Sequence, residues 1–167
     1  MNELVGKKSL VTGGSRGIGA AKAIALAERG ADVAVTYKSS ADAAAKVAKE
    51  IEALGQRALA LEVDAADAVA VAVGVRRAAD HLGGLDILVN NAGVGAIAPI
   101  TDLTLADLDR VLAVNVRGVY AAAQIGDLAL DRFGTTAEVA AAITYLAGPS
   151  AAYITGTELT IDGGHTA

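Results

Sequence analysis

Short apolar runs alternate with stretches of helical periodicity between Lys8 and Ala123, and this alternation limits the possible folds more than any other feature of the sequence. Four runs predict β-strands, with the bounds Lys8 to Thr12, Asp32 to Thr36, Ala58 to Val63 and Leu85 to Val89. Four helical patterns follow them: one from the first turn to about Gly30, with Ile18, Ala21, Ala25 and Leu26 on one side, then Ala41 to Leu54, Asp67 to Leu82 and Leu105 to Ala123. Strands that alternate with helices of about 10 to 15 residues predict right-handed βαβ units and a parallel sheet.

The predicted strands are short apolar runs rather than alternating ones, which is typical of strands that helices cover on both faces. A chain of 167 residues is long enough to bury such a core as one domain. The sequence therefore predicts the α/β class, with a Rossmann-like, doubly wound parallel sheet.

The composition excludes several classes of function. Hydrophobic residues make up 53% of the chain, but no apolar run reaches the roughly 18 residues that span a bilayer, so we expect no membrane association. The formal net charge is −5 and no basic tract occurs, which argues against nucleic-acid binding. The chain has no Cys and so no thiolate ligands, and we expect no metal site and a cytoplasmic location.

A Gly-rich turn separates the first predicted strand from the first predicted helix. Its sequence is Thr12-Gly13-Gly14-Ser15-Arg16-Gly17-Ile18-Gly19. Glycines permit a tight turn and a close approach to a pyrophosphate, while the helix N-terminus offers free N–H groups and the positive end of its dipole. No Lys-Ser or Lys-Thr pair follows the last Gly, which excludes a Walker loop. The turn therefore predicts a dinucleotide site formed by Gly13, Ser15, Arg16, Gly17, Ile18 and Gly19.

The spacing Gly13-x-x-x-Gly17-x-Gly19 resembles that of the short-chain dehydrogenase/reductase family rather than the common G-x-G-x-x-G. Asp64 is similar to the Asp that binds the adenine ring in that family. Asn115 is similar to the Asn that bends the family's long helix and supports its active site. Asn90-Asn91-Ala92-Gly93 resembles the family's Asn-Asn-Ala-Gly signature, and the resemblance implies that these four residues line the cofactor site. Later stretches resemble the family's last helix and last strand: Arg132-Phe133-Gly134, Ala137-Glu138-Val139-Ala140, Tyr153-Ile154-Thr155-Gly156 and Asp162-Gly163-Gly164.

Each of these polar residues also has a purely structural interpretation. Asn90 and Asn91 would satisfy backbone groups at the end of a strand. Asp64 would be the N-cap of the third helix or a solvated carboxylate, and Lys38 an exposed loop lysine. Asn115 costs helix propensity in mid-helix, which favours some local role for it.

The residues after the second strand bear on the choice of cofactor. An NAD site usually places an Asp or Glu about 20 residues after the first Gly, on the ribose 2′-OH. Here Tyr37 and Lys38, which we expect to line the cofactor site, are followed by Ser39 and Ser40, with no acid. Lys38, the two hydroxyls and Arg16 would suit a 2′-phosphate. The sequence therefore favours NADP(H), with NAD(H) as the alternative.

The resemblance also implies a catalytic set that this chain does not contain. The family uses a Tyr that exchanges a proton with the substrate, a Lys four residues later, and a Ser that polarises the substrate. No Tyr here has a Lys four residues later, and no Lys follows Lys49. The family's fifth and sixth strand–helix units should lie before Arg132, yet only Gln124 to Asp131 stands there. Of the catalytic set, the chain retains Asn115 alone.

We therefore expect one dinucleotide-binding domain over residues 1–167. It comprises a cofactor half (1–124), a junction where a segment is missing (125–131), and a C-terminal helix and strand (132–167). Either the sequence lacks a stretch that the intact protein has, or the deletion is genuine, natural or engineered. A genuine deletion would leave Ile87-Leu88-Val89 as an exposed apolar edge, which favours the first account.

The resemblance implies an NADP(H)-preferring oxidoreductase that reduces carbonyls or oxidises alcohols by hydride transfer and is catalytically incomplete as written. Its partners would be a small carbonyl or alcohol substrate and further copies of itself, as a dimer or tetramer. The alternative is a non-enzymatic nucleotide-binding or oligomerisation module derived from the same fold.

Overall fold

The computed structural model describes residues 3–124 together with residues 141, 145 and 148–153. It divides the chain into two compact units, Met1–Ile125 and Gly126–Ala167. The junction at 125–131 and most of the motifs after it lie outside the described residues, so the predicted division of the domain stays a prediction. No helix in the described part is long and apolar enough to cross a bilayer.

Four parallel strands form the sheet of the first unit, in the order β3-β2-β1-β4. The strands are β1 Lys8–Val11, β2 Asp32–Tyr37, β3 Ala58–Glu62 and β4 Ile87–Val89. The helices are α1 Gly17–Glu28, α2 Ala41–Ala53, α3 Ala68–Leu82, α4 Leu105–Leu112 and α5 Val119–Ala123. A π-helical segment, Ala113–Gly118, joins α4 to α5. The predicted α/β fold with a Rossmann-like parallel sheet is confirmed.

An apolar core covers each face of the sheet, because successive side chains of a strand point to opposite faces. Leu10 of β1 contributes to the core under α3 and α5, together with Ala34, Leu61, Val63, Val71, Val75, Ala78, Leu82 and Ala122. Val11, the next residue, contributes to the core under α1 and α2, together with Ala23, Ala27, Ala31, Val33, Val35, Val47 and Ile51. Both faces of β1 are thus buried at Leu10 and Val11, as its short apolar run predicts.

Helix α1 packs through its smallest residues, which the sequence pattern did not predict. Gly19, Ala23 and Ala27 are buried. Ile18 is 72% exposed and Ala21 is exposed as well, so the predicted side is wrong for these two residues, whereas Leu26 packs against the core as predicted. Small residues let the helix axis come close to the sheet, and the position of the first turn leaves Ile18 outside the core.

Helix α3 begins with a side-chain cap. Oδ1 of Asp67 accepts hydrogen bonds from the backbone N–H groups of Val69 and Ala70 at 2.9 and 3.1 Å. Asp67 is therefore the N-cap, and the interpretation of Asp64 as the N-cap is wrong. The carboxylate of Asp64 remains available for other contacts.

Arg57 connects β2 to the end of α3 at the amino edge of the sheet. Its Nε and Nη2 donate to Oδ2 of Asp32 at 2.9 and 2.7 Å, and its backbone N–H donates to Oδ1 at 2.8 Å. Its guanidinium also donates to the carbonyl of Leu82. Burial alone would raise the pKa of Asp32, but the hydrogen bonds from Arg57 and the charges of Arg57 and Lys8 outweigh it, so the pKa of Asp32 is lowered.

This lowered pKa predicts how stability depends on pH. The unfolded chain binds a proton at Asp32 near the ordinary pKa of 3.8, whereas the folded protein binds it only at lower pH. The stabilisation is therefore complete above the unfolded pKa and is lost as the pH falls through the folded pKa. Urea denaturation followed by circular dichroism should show a constant free energy of unfolding from neutral pH to about pH 5, and a fall below it.

Asp32→Asn is the matched control for this measurement. It should lose less stability than the parent between pH 5 and pH 3. An equal loss in the two proteins would contradict the assignment to Asp32.

Candidate functional site

The carboxyl ends of β1 and β4 are joined by Thr12, the residue that follows β1. Its Oγ1 accepts hydrogen bonds from the backbone N–H groups of Asn91 and Ala92 at 2.9 and 3.0 Å. The same hydroxyl donates to the carbonyl of Val89 at 3.4 Å. Thr12 is buried, so this hydroxyl fixes the direction in which the chain leaves β4.

The side-chain amide of Asn91 completes the same junction. Its Nδ2 donates to the carbonyls of Thr12 and Gly13 at 2.9 and 3.2 Å, and its Oδ1 accepts from Nζ of Lys22 at 3.2 Å. The structural interpretation of Asn91, as a residue that satisfies backbone groups at the strand end, therefore agrees with its contacts. These bonds hold the Gly-rich turn against the loop after β4.

Thr36, near the end of β2, supports the turn from the opposite side. Its Oγ1 accepts from the N–H of Gly13 at 3.1 Å, and its carbonyl accepts from the N–H of Gly14 at 2.9 Å. Two threonine side chains at the ends of neighbouring strands thus bracket the start of the turn.

Glycine is required in the turn for two separate reasons. Gly13 and Gly17 have φ values of +64° and +55°, the left-handed region that favours glycine. Gly19 instead lies in a close contact, because an added Cβ would overlap the carbonyl oxygen of Gly13 and lie 2.5 Å from Nδ2 of Asn91. The turn is therefore both tightly curved and packed against the following helix.

The N-terminus of α1 faces open space with no side-chain cap. Arg16, at the N-cap, has extended backbone and makes no capping hydrogen bond with its side chain. A Cβ placed on Gly17 would meet nothing within 4 Å. The first N–H groups of a helix have no partner within the helix and lie at its positive end. This cradle fits an anionic group such as the pyrophosphate of a dinucleotide.

A cleft of about 710 Å³ opens beside this turn, within the range of small-molecule and cofactor sites. The residues predicted to bind the cofactor line it, with the exception of Asn90: Gly13, Ser15, Arg16, Gly17, Ile18, Gly19, Tyr37, Lys38, Asp64, Asn91, Ala92 and Gly93. Asn90 lines a neighbouring cavity of about 10 Å³ instead. Ala92 lines both spaces, so Asn90 lies close to the cleft, and its place in the cofactor site stays a prediction.

Lys38 and Asp64 form an ion pair inside the cleft. Nζ of Lys38 lies 2.6 Å from Oδ2 of Asp64, and Oδ1 of Asp64 accepts from the N–H of Ala66 at 3.0 Å. The hydrogen bond from Lys38, followed by that from Ala66, holds the pKa of Asp64 below its usual value. Asp64 is therefore charged at neutral pH, and Lys38 is more than an unpaired loop lysine.

Asn115 lies in the π-helical segment and holds the loop that follows β4. Its Oδ1 accepts from the N–H of Val94 at 3.0 Å, and its Nδ2 donates to the carbonyl of Val94 at 2.9 Å. One amide therefore pairs with both backbone groups of one residue. Gly118, at the end of the segment, lies against the carbonyl of Ala65 so closely that a Cβ would overlap it.

This geometry gives Asn115 a local role. The sequence predicted one long helix from Leu105 to Ala123 with a bend at Asn115, whereas the structure widens six residues into the π-helical segment. Single π-turns inside α-helices are frequent at functional sites. Asn115 itself does not line the cleft, but Val94, which it holds, does.

Sequence reasoning missed the two threonines and Arg110. Arg110 lines the cleft, as Val94 does, and donates a long hydrogen bond of 3.5 Å to the carbonyl of Gly95. Arg110 and Val114 are four residues apart, so a helix places them on the same side, and both line the cleft. This spacing was the signal that could have identified Arg110. For Thr12 and Thr36, the signal was a hydroxyl residue at the end of each apolar strand.

Almost the whole chain matches two known protein families. Residues 7–134 match the family described as short chain dehydrogenase, and residues 124–166 match the one described as enoyl-(acyl carrier protein) reductase. The chain belongs to the short-chain dehydrogenase/reductase family. The family predicted from the Gly spacing and the Asn-Asn-Ala-Gly signature is thereby confirmed.

Individual relatives agree with this membership. A versicolorin reductase of Emericella nidulans is 45% identical over 117 residues, which are 70% of this chain and 44% of the relative. An uncharacterized oxidoreductase of Methylorubrum extorquens is 40% identical over 158 residues, 95% of this chain and 64% of the relative. The crystal structure of a short chain dehydrogenase from Burkholderia cenocepacia J2315 in complex with NADP is 58% identical, with a TM-score of 0.72, over 73% of this chain and 50% of that one.

The extent of these matches differs from one relative to another. The chain spans about half the length of the curated relatives that it matches first. The match to the Methylorubrum protein extends over both sides of the junction, since it covers 95% of this chain.

The role of Thr12 predicts a stability effect. Thr12→Val keeps the shape of the side chain but leaves two backbone N–H groups without their acceptor, and we expect a loss of about 1–3 kcal/mol in the free energy of unfolding. Thr12→Ser retains the hydroxyl and should lose clearly less. Urea denaturation of the three proteins measures both differences, and equal losses for the two variants would show that the hydroxyl is not what holds the junction.

Proposed function

We propose that this chain provides the cofactor-binding half of an NADP(H)-preferring short-chain oxidoreductase. The observation that carries the proposal is the uncapped N-terminus of α1 behind a Gly-rich turn, open to a cleft of about 710 Å³. The cofactor would supply a hydride donor or acceptor, and the substrate would be a small carbonyl compound or alcohol. Membership of the short-chain dehydrogenase family supports the reaction class.

The turn would bind the pyrophosphate. We assign this role to the backbone of Ser15, Gly17, Ile18 and Gly19, because N–H groups at a helix start favour negative charge without a side-chain cation. Their position along one wall of the cleft supports the assignment. Gly13, whose N–H already donates to Thr36, would supply the tight curvature of the turn.

The adenosine end would lie between the ends of β2 and β3. Tyr37 and Lys38 line the cleft after β2, and Asp64 lines it after β3. Arg16, on the turn, lines the same space. We propose that Lys38 and Arg16 receive the 2′-phosphate, since no acid stands at the end of β2 to accept the 2′-OH of NAD. The related Burkholderia structure, which is a complex with NADP, supports this preference.

The loop after β4 would line the rest of the cofactor site. Asn91, Ala92 and Gly93 line the cleft, and we propose that they contact the cofactor beyond the pyrophosphate. We propose that Asn90, which lines the small neighbouring cavity, belongs to the same cofactor site. Asn115 would hold the loop in place through Val94, as the remaining member of the family's catalytic set.

The chain as written lacks the Tyr–Lys pair with which the family completes proton transfer. No Tyr is followed by Lys at the fourth position, and Asn115 has no proton to exchange near neutral pH. This observation favours a second candidate function, a nucleotide-binding or oligomerisation module without turnover.

We also propose that the intact protein is a cytoplasmic homo-oligomer.

Cofactor binding tests the first candidate. We expect the chain to bind NADPH more tightly than NADH in a fluorescence titration, because only NADPH carries the 2′-phosphate. Lys38→Glu should reduce that preference, whereas Lys49→Glu, the same charge change on an exposed residue of α2 outside the cleft, should leave it unchanged. Equal affinity of the unmutated chain for both cofactors would contradict the charge argument.

Turnover separates the two candidates. For the 167-residue chain we expect no oxidation of NADPH above background across a panel of ketones and aldehydes, since the loss of a positioned acid–base group alone costs about 10²–10⁴-fold in rate. An intact mass must accompany the assay, because a protein heavier than 16.6 kDa would contain further residues. Robust turnover at a mass of 16.6 kDa would show that another residue supplies the proton.

A further inference from the structure

The Lys38–Asp64 ion pair occupies the part of the cleft that the proposed function gives to adenosine. Lys38 follows β2 and Asp64 follows β3, and these strands are neighbours in the sheet. Both residues line the cleft, and their charged atoms are 2.6 Å apart. The cation best placed for a 2′-phosphate is therefore already bound to a carboxylate of the protein.

The two partners differ in how firmly they are held. The carboxylate of Asp64 is fixed by the N–H of Ala66 at 3.0 Å, and its side chain is 39% exposed. The side chain of Lys38 is 69% exposed, and among the described residues its ammonium contacts Asp64 alone. Lys38 can therefore turn toward a ligand at little cost, while Asp64 stays in place.

We propose that Asp64 competes with the cofactor for Lys38, so that a 2′-phosphate binds only by taking the ammonium away from the Asp64 carboxylate. The inference rests on the proposed function and adds to it a residue that limits the preference for NADP(H). Asp64 opposes the phosphate in two ways: it holds the cation, and its own negative charge repels the phosphate. NADH, which has a free 2′-OH in place of the phosphate, neither needs the Lys38 ammonium nor brings a charge for Asp64 to repel at that position.

Asp64→Asn tests this competition. Asparagine keeps an oxygen that can accept from Ala66, so the local fold is preserved, but it releases Lys38 and removes the repulsion. We expect the ratio of NADPH to NADH affinity to rise about two- to fivefold, the range that an exposed ion pair supports. Asp80→Asn, the same charge change on an exposed residue of α3, should leave the ratio unchanged.

Adenosine fragments isolate the effect from the rest of the cofactor. Adenosine 2′,5′-bisphosphate should gain affinity in Asp64→Asn relative to 5′-AMP, by the same factor as NADPH gains over NADH. In the Lys38→Gln background the gain should shrink, because no ammonium is left to release. A full gain in that background would show that Asp64 acts through its charge alone and would overturn the competition.

The other outcomes are distinguishable. An unchanged or lower ratio in Asp64→Asn, with the parent still preferring NADPH, would overturn this inference and leave the proposed function standing. Equal losses of NADPH and NADH affinity would show that Asp64 only binds the adenine. Failure of the parent chain to bind either cofactor would overturn both proposals.

Discussion

One hydroxyl group, that of Thr12, decides how the carboxyl edge of the sheet is arranged. It accepts from the two amides that follow β4, while the amide of Asn91 donates back to the carbonyls of Thr12 and Gly13. These bonds bring the loop after β4 and the Gly-rich turn together, and Gly19 lets α1 start close beside them. The open helix N-terminus, and the cleft in front of it, follow from this junction.

Charged residues have different roles at the two edges of the sheet. At the amino edge, Asp86 accepts from the N–H of Lys8 at 2.8 Å and pairs with Nζ of Lys7 at 3.3 Å, and Arg57 binds Asp32 in a similar way. These contacts tie strands and loops together at that edge. At the carboxyl edge the ion pair of Lys38 lies inside the cleft. An exposed pair contributes at most about 1 kcal/mol to stability, so its position matters more for binding than for folding.

The fold and the position of the site were predictable from the sequence because both depend on local patterns. Short apolar runs identify the buried strands, and a Gly-rich turn between strand and helix indicates where the cleft opens. The packed side of α1 was not predictable, since burial there follows the small size of Gly19 and Ala23 rather than hydrophobicity. Nor was the π-helical segment, within which Asn115 binds Val94, a residue 21 positions away in the sequence. The pairing of Lys38 with Asp64 joins residues from neighbouring strand ends, and sequence spacing carries no signal for it.

The central claim is that the amides at the start of α1 bind the pyrophosphate of a dinucleotide. Titration of the ¹⁵N-labelled chain with NADP⁺, followed by NMR, tests it residue by residue. The account predicts the largest amide shift changes at Gly17, Ile18 and Gly19. Saturable binding that leaves these three amides unchanged, or no binding at millimolar NADP⁺, would contradict it.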